Sequence, residues 1–216
     1  MILDVLELLL TPVILVMEII FGLFLSISGS ASLSIILLSL MITIMAHPLR
    51  AWAQAVETRV HLRIKAVDTE IAASTVGLKG EPRFRAVEKV YQTHNYHPIY
   101  SVALGTPLII MLPVLLSALF LFTSNPDLTG ESFVFVSDLS QPDGLLWGLN
   151  LLPVIMTCIT LVDSKIRFGN DRAALVRFLI IAVVMFVLVY GFASAIVVFW
   201  ATSNLVAMLS HLLQRS

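Results

Sequence analysis

The sequence predicts an all-α integral membrane protein with five transmembrane helices, an external amphipathic helix and a cytoplasmic helical hairpin. Hydrophobic residues make up 58% of the 216-residue chain and charged residues 12%, whereas about a quarter of the residues in a soluble domain are charged. Several apolar runs are long enough to cross a bilayer. The one long polar interruption, residues 50–97, holds eight of the thirteen Lys and Arg residues.

Residues 1–27 are predicted to form the external amphipathic helix, which lies in the membrane interface. Their polar side chains recur at three-, four- and seven-residue spacing on one helical face: Asp4, Glu7, Thr11 and Glu18. An interfacial helix is favoured over a span because a span would bury Glu18. A span with a snorkelling acid is the alternative. We expect no cleavable signal peptide, since the first residues are acidic rather than basic.

Residues 28–49 are predicted as the first span, and residues 50–97 as the cytoplasmic hairpin. Helical runs at about 48–73 and 81–94 are separated by a turn at 74–80 that contains two glycines. Two helices joined by a short turn pack as an antiparallel hairpin.

The rest of the chain alternates apolar and polar runs. The predicted elements are the second span 98–123, the external acidic loop 124–144, the third span 145–162, the cytoplasmic loop 163–172, the fourth span 173–190 and the fifth span 193–213. Pro107 and Pro113 lie inside the second span, and lipid-embedded helices tolerate them. The external loop has four acidic residues and no Lys or Arg.

The positions of the basic residues predict the orientation. All thirteen lie in the hairpin, in the 163–172 loop, or at Arg177 and Arg215. With five spans these places fall on one side of the membrane, and the positive-inside rule makes that side cytoplasmic. The N-terminus is therefore predicted outside and the C-terminus inside, in the plasma (inner) membrane of a bacterium.

No catalytic residue, cofactor, metal site or direct nucleic-acid site is predicted, and the chain is not expected to be an enzyme. His94 and His97 have a spacing that suits a metal, but no acid or cysteine lies near them at ligand spacing, so a capping or interfacial role is favoured. Asp163 ends a span and is interpreted as a solvated boundary charge. A proton-coupled transporter would need buried ionisable groups that the spans lack.

Short motifs in a fixed order point to a family. The first span ends in His47-Pro48-Leu49, and Asn95-Tyr96-His97-Pro98 precedes a second span with prolines at both ends of 107–113. Asp138-Leu139-Ser140 lies in the outer loop and Ser203-Asn204-Leu205 in the last span. In this order and spacing, nearly the whole chain resembles the YidC/Oxa/Albino family of membrane protein insertases.

The resemblance implies a polar groove, open to the cytoplasm and to lipid, through which hydrophobic segments pass into the bilayer. The candidate groove residues are Thr43, Thr106, Met111, Thr157, Thr160, Arg177, Thr202, Ser203 and Asn204. For the serines and threonines, ordinary packing between membrane helices is the alternative.

Two positions depart from the family pattern. Bacterial members have an arginine six residues before the leucine of the Pro-Leu pair, where this sequence has Thr43, and a glutamine two residues before the second proline, where it has Met111. Arg177 is the cation considered as a substitute, with snorkelling to the headgroups as the alternative.

The resemblance implies a YidC-like insertase or chaperone. The alternative is a non-catalytic paralogue that serves as a subunit or assembly partner of another membrane complex. The implied partners are the lipid bilayer and nascent or small membrane proteins, with the ribosome, the translocon or a dedicated membrane complex as further candidates.

Overall fold

The computed structural model describes residues 2–97, 106–123, 125–145, 147–169 and 171–213, with side chains for all of these except 2–6, 106–110 and 173. The helices are α1 Ile2–Ser28, α2 Ala31–Met45, α3 His47–Ser74, α4 Glu81–Thr93, α5 Thr106–Thr123, α6 Leu151–Phe168, α7 Arg172–Val189 and α8 Ser194–Leu213. The described residues contain no β-strand, only one isolated bridge. The predicted all-α class is confirmed.

The chain divides into two compact units, residues 1–45 with 113–216, and residues 46–112. In the first unit Phe122 of α5 is 1% exposed. Its ring meets those of Phe21 in α1 and Phe199 in α8 edge-on, with centroids 5.8 and 6.0 Å away. Such aromatic pairs add about 0.5–1.5 kcal/mol each to the burial term. Phe122 therefore links three helices in one apolar core.

The segment between α5 and α6 caps three helices of this unit. The Asp143 carboxylate accepts hydrogen bonds from the first two backbone N–H groups of α6 at 2.6 and 3.0 Å, and Glu131 accepts one from the first N–H of α2 at 3.2 Å. The carbonyls of Leu139 and Gln141 accept from the first two residues of α8. The first N–H groups of a helix lack intrahelical partners and attract negative charge. Helices α2, α6 and α8 therefore all begin at this loop.

The Asp138-Leu139-Ser140 motif shows how the loop is held. Asp138 Oδ1 accepts hydrogen bonds from the Ser140 hydroxyl at 2.7 Å and the Ser140 N–H at 2.9 Å. These bonds keep the pKa of Asp138 below its usual value, since they favour the charged form. Leu139 between them is 0% exposed and belongs to the apolar core. Asp138 and Ser140 thus fix a turn that places Leu139 in the apolar core.

In the second unit α3 and α4 pack as a hairpin, with limits within one residue of the predicted helices. Val67 of α3 and Val90 of α4 are 0% and 4% exposed. In the turn between the helices Gly77 and Gly80 have φ angles of +73° and +63°. Glycine adopts these angles without the steric cost that a β-carbon imposes, so the glycine-containing turn is explained.

Polar contacts close the other end of the hairpin. The Arg63 guanidinium donates to the carbonyl groups of His94 at 2.8 Å and Asn95 at 2.9 Å. A cation at the C-terminal end of a helix also stabilises its dipole. The His94 ring lies 2.5 Å from a Glu70 carboxylate oxygen. His94 thus joins the end of α4 to α3, and the acid beside it, Glu70, is one that its sequence neighbourhood does not indicate.

A helix break lies inside the predicted first span, residues 28–49, whose membrane limits stay a prediction. Helix α2 ends at Met45, and a new helix begins at His47. Pro48 lies in the first turn of α3, where its missing N–H would have no intrahelical partner in any case. The sequence is apolar on both sides of this break, so a hydropathy pattern does not reveal it.

The limits of α6 differ from those of the predicted third span, 145–162, and α6 extends into the predicted loop, 163–172, while the membrane limits stay a prediction. The helix begins at Leu151 and continues to Phe168. A hydropathy pattern ends a span at its first charge, but a helix continues where charges suit its end. Lys165 and Arg167 lie in the last turn, where cations stabilise the carbonyl end.

Two of the described helices are long and apolar enough to cross a membrane, Glu7–Ser28 within α1 and Ser194–Leu213. The number is three if α2 and α3 are taken as one bent span, and Met111–Thr123 and Ala174–Val189 are shorter apolar helices. The structure therefore supports an apolar, all-helical protein, while the five spans stay a prediction. Residues 7–28 are also long and apolar enough to cross a membrane. The interfacial position of the first helix is therefore still a prediction.

Candidate functional site

Three buried hydroxyl groups join α2 to α8. Thr43 Oγ1 donates to Ser203 Oγ at 3.2 Å, the Ser203 and Ser39 hydroxyls are hydrogen-bonded at 2.9 Å, and Ser39 Oγ donates to the Phe199 carbonyl at 2.7 Å. Each hydroxyl has one proton to donate. These bonds therefore form one directed chain that starts at Thr43 and ends at the Phe199 carbonyl.

The spacing of these residues explains the contact. Ser39 and Thr43 are four residues apart on α2, as Phe199 and Ser203 are on α8, and residues at that spacing share a helical face. Thr43 is 7% exposed and Ser203 is 4% exposed. Small side chains let membrane helices approach closely, and a hydrogen bond between them contributes about 0.6 kcal/mol on average. Thr43 and Ser203, two of the predicted groove residues, are thus buried between α2 and α8 and bonded to each other, and their groove role stays a prediction.

A second polar contact joins α6 to α8. Asn204 Nδ2 donates to Thr160 Oγ1 at 3.0 Å, and Thr160 Oγ1 donates to the Met156 carbonyl at 3.0 Å. Both side chains are half-buried. Because Ser203 and Asn204 are consecutive, α8 directs one polar side chain towards α2 and the next towards α6. The structure thus brings four predicted groove residues together in two neighbouring contacts.

Thr157 and Thr202 are half-buried and hydrogen-bond within their own helices. Thr157 Oγ1 donates to the Pro153 carbonyl at 2.7 Å, and Thr202 Oγ1 donates to the Val198 carbonyl at 2.8 Å. This i−4 bond satisfies a hydroxyl in an apolar environment without a partner helix. It also leaves the oxygen lone pairs able to accept further hydrogen bonds.

Asp163 and His211 form a contact that sequence reasoning missed. His211 Nδ1 lies 2.6 Å from Asp163 Oδ1, and the two side chains are 13% and 17% exposed. The interpretation of Asp163 as a solvated boundary charge is therefore wrong. The pair joins the C-terminal parts of α6 and α8. The two residues are 48 positions apart, so no local pattern could have paired them.

In the second unit Met111 contacts Arg50, one of the eight basic residues of the hairpin segment 50–97. Arg50 Nε donates to Met111 Sδ at 3.0 Å, a weak bond because a thioether sulfur is a poor acceptor. The side chain of Thr106 lies outside the described residues, so its place in the groove stays a prediction. Arg177 is half-buried in the second turn of α7, and its substitute role also stays a prediction.

The comparisons with known proteins identify the family. A profile of the family described as "60Kd inner membrane protein" matches residues 22–216. The chain belongs to this family. The match includes α2 to α8 and the last residues of α1. The resemblance to the YidC/Oxa/Albino insertases is thereby confirmed, since the matched relatives are YidC proteins.

Two relatives and one crystal structure define the similarity. The membrane protein insertase YidC of Clostridium perfringens is 26% identical over 82% of this chain and 74% of its own length. That of Chlamydia caviae is 26% identical over 93% of this chain, which spans only 27% of that relative. An active YidC insertase with its first transmembrane domain resolved matches with a TM-score of 0.61 and 17% identity, over 94% of this chain and 45% of that one. The structural match shows the fold alone.

Proposed function

We propose that the chain is a membrane protein insertase and chaperone of the YidC type, which passes hydrophobic segments into the bilayer. The family match over residues 22–216 carries this proposal, together with relatives that are named insertases. Because these relatives are named insertases, they favour an insertase over a non-catalytic paralogue. The proposed partners are the bilayer and nascent or small membrane proteins, with contact to a ribosome, translocon or dedicated complex as a separate part of the proposal.

The polar side chains of α2, α6 and α8 give the activity a physical basis. A polar group of the substrate that enters hydrocarbon without a hydrogen-bond partner costs several kcal/mol. A hydrogen bond between membrane helices is worth only about 0.6 kcal/mol. Replacing a hydrogen bond within the protein by one to the substrate therefore changes the free energy little. Leaving a polar group of the substrate without a partner raises it by several kcal/mol.

Burial suggests an order of contact. Thr157, Thr160, Thr202 and Asn204 are half-buried, so a substrate flank can reach them with little rearrangement. Thr43 and Ser203 are buried in the α2–α8 contact, and a substrate reaches them only if those helices separate. We therefore assign first contact to the α6–α8 side.

Thr43 also limits the proposed substrates. It occupies the position at which bacterial members of the family have an arginine, and it is neutral and hydrogen-bonded to Ser203. Without a positive charge at that position, an acidic translocated flank gains no electrostatic stabilisation. We expect substrates whose translocated flank is short and weakly charged.

The test uses cells depleted of their own insertase. The unmodified chain should restore growth and insert a protein with a short neutral N-terminal tail. A Thr43→Arg variant should improve insertion of an otherwise identical protein with an acidic tail, measured by protease protection of that tail. A charge costs about 2.5–3.5 kcal/mol at the centre of a membrane helix, which is an upper bound for Thr43 near the end of α2, so protein levels are compared by immunoblot.

A Thr43→Val variant is the matched control, because it removes the hydroxyl without adding charge. It should leave both insertions close to those of the unmodified chain. If the unmodified chain inserts neither the neutral-tailed nor the acidic-tailed protein, the proposed function is overturned. Equal insertion of the acidic tail by the unmodified chain and Thr43→Arg would overturn only the proposed substrate limit.

A further inference from the structure

The end of the hairpin exposes apolar side chains. The hairpin tip is defined as residues 74–86, the end of α3, the turn and the start of α4. Residues 68–89, all of which the structure describes, include no buried side chain. Within the tip Val76 is 79% exposed, Phe84 68% and Leu78 37%. The packing that buries Val67 and Val90 stops before the tip and leaves these three side chains uncovered within the unit.

Basic residues alternate with these apolar ones. Lys79, Arg83 and Arg85 are exposed, and with the one acid, Glu81, they give the tip a net charge of +2. Glu81 lies 2.5 Å from Arg85, with both side chains more than 70% exposed. The tip is therefore both cationic and apolar, whereas a turn that faces water is usually built from small polar residues.

We propose that the hairpin tip binds the anionic surface of the membrane. Apolar side chains that enter the boundary between headgroups and acyl chains, with basic side chains beside the phosphates, are the combination by which peripheral segments bind anionic bilayers. Each Lys or Arg near such a surface strengthens binding by about fivefold. The apolar side chains of the tip match the acyl boundary, and its net positive charge matches the anionic headgroups.

A nucleic-acid surface fits the tip less well. Basic side chains would contact phosphates there too, and Phe84 has a ring that can stack on a base, but Val76 and Leu78 are aliphatic and have no such use. An anionic bilayer can contact both the basic and the apolar side chains of the tip. Because the 28-residue α3 is about 42 Å long, a tip in contact with headgroups requires the hairpin to lie along the membrane rather than stand upright on it.

The test uses the full chain in lipid nanodiscs. A single cysteine is placed at Val76→Cys in a Cys158→Ser background and labelled with an environment-sensitive fluorophore. In discs that contain phosphatidylglycerol, the emission should shift to the blue and be quenched by lipids with a nitroxide near the headgroup. Discs of phosphatidylcholine should give the emission of a probe in water. Raised salt should weaken the quenching, since it screens the attraction.

Charge variants separate the tip from the rest of the hairpin. Lys79→Gln with Arg83→Gln should lower the bound-to-free ratio in anionic discs by about 25-fold. Lys65→Gln with Lys89→Gln removes the same charge outside the tip and should change the ratio far less. Quenching that is absent from both disc types, or equal in both, would overturn the proposal. So would a probe that is shielded from aqueous iodide only when ribosomes are added.

This inference rests on the membrane location of the family and not on the proposed insertase activity. The nanodisc measurement involves no substrate. Its failure would leave the insertion assay unaffected, and a chain that does not insert proteins could still show the quenching.

Discussion

At the scale of single residues, carboxylates decide where helices begin. Asp143 accepts three backbone hydrogen bonds, one from its own loop and two from the start of α6. Glu131 serves α2 in the same way and also accepts from the Ser30 hydroxyl. Two acids of the segment between α5 and α6 thus have a structural role, which is to accept hydrogen bonds from the first N–H groups of helices.

Replacing Asp143 should destabilise the first unit. Asp143→Ala leaves the first N–H groups of α6 without their acceptor, and we expect a loss of about 1–2 kcal/mol. Asp127→Ala is the control, because that side chain is exposed in the same loop and should have little effect. Thermal unfolding in detergent micelles measures both variants. Equal midpoints for the two would contradict the capping role.

At the scale of elements, the hairpin and the helices around Phe122 differ in how they are stabilised. The hairpin is exposed from residue 68 to residue 89 apart from a few half-buried positions, and its ion pair Glu81–Arg85 lies in solvent. Such a pair contributes only a few tenths of a kcal/mol. Helix α8, in contrast, has six consecutive buried residues, 194–199.

The hairpin should therefore exchange its amide hydrogens faster than the helices of the first unit. In hydrogen-exchange mass spectrometry of the full chain in nanodiscs, α4 should exchange at least about tenfold faster than residues 194–203 of α8. The comparison is made in phosphatidylcholine discs, where no binding of the tip is expected. Equal protection of α4 and α8 would mean that the hairpin is docked on another surface.

At the scale of the whole molecule, the membrane topology is the main prediction. With Cys158 replaced by serine, single cysteines at Glu131, Lys79 and Lys165 are exposed to a membrane-impermeant thiol reagent on intact cells. The cysteine at Glu131 should react, since the acidic loop is predicted outside. Those at Lys79 and Lys165 should react only after the membrane is permeabilised. Labelling of the Lys79 position in intact cells would reject the five-span arrangement.

Composition and periodicity predicted much of this protein because they are local properties of the chain. An apolar chain in lipid must satisfy its backbone internally, which makes it helical. The two glycines between amphipathic runs mark the hairpin, and its helix limits were right to within one residue. The ordered motifs identified the family, which the profile match confirms.

Local hydropathy was less informative where it conflicts with the ends of helices. It merges α2 with the start of α3, because Pro48 allows a new helix without a polar break. It also ends the third span at Asp163, whereas α6 continues to Phe168. In both cases hydropathy reports the solvent preference of side chains, while the helix is set by backbone hydrogen bonds and end charges.

Only the tertiary structure decided which polar side chains meet. Thr43 and Ser203 are 160 residues apart, and Asp163 and His211 are 48 apart, so nothing in either neighbourhood indicates the partner. Each side chain alone fits a groove wall or a solvated end equally well. The packing of α8 against both α2 and α6 makes these residues neighbours, because helices buried side by side must match polar groups with one another where no water is present to do so.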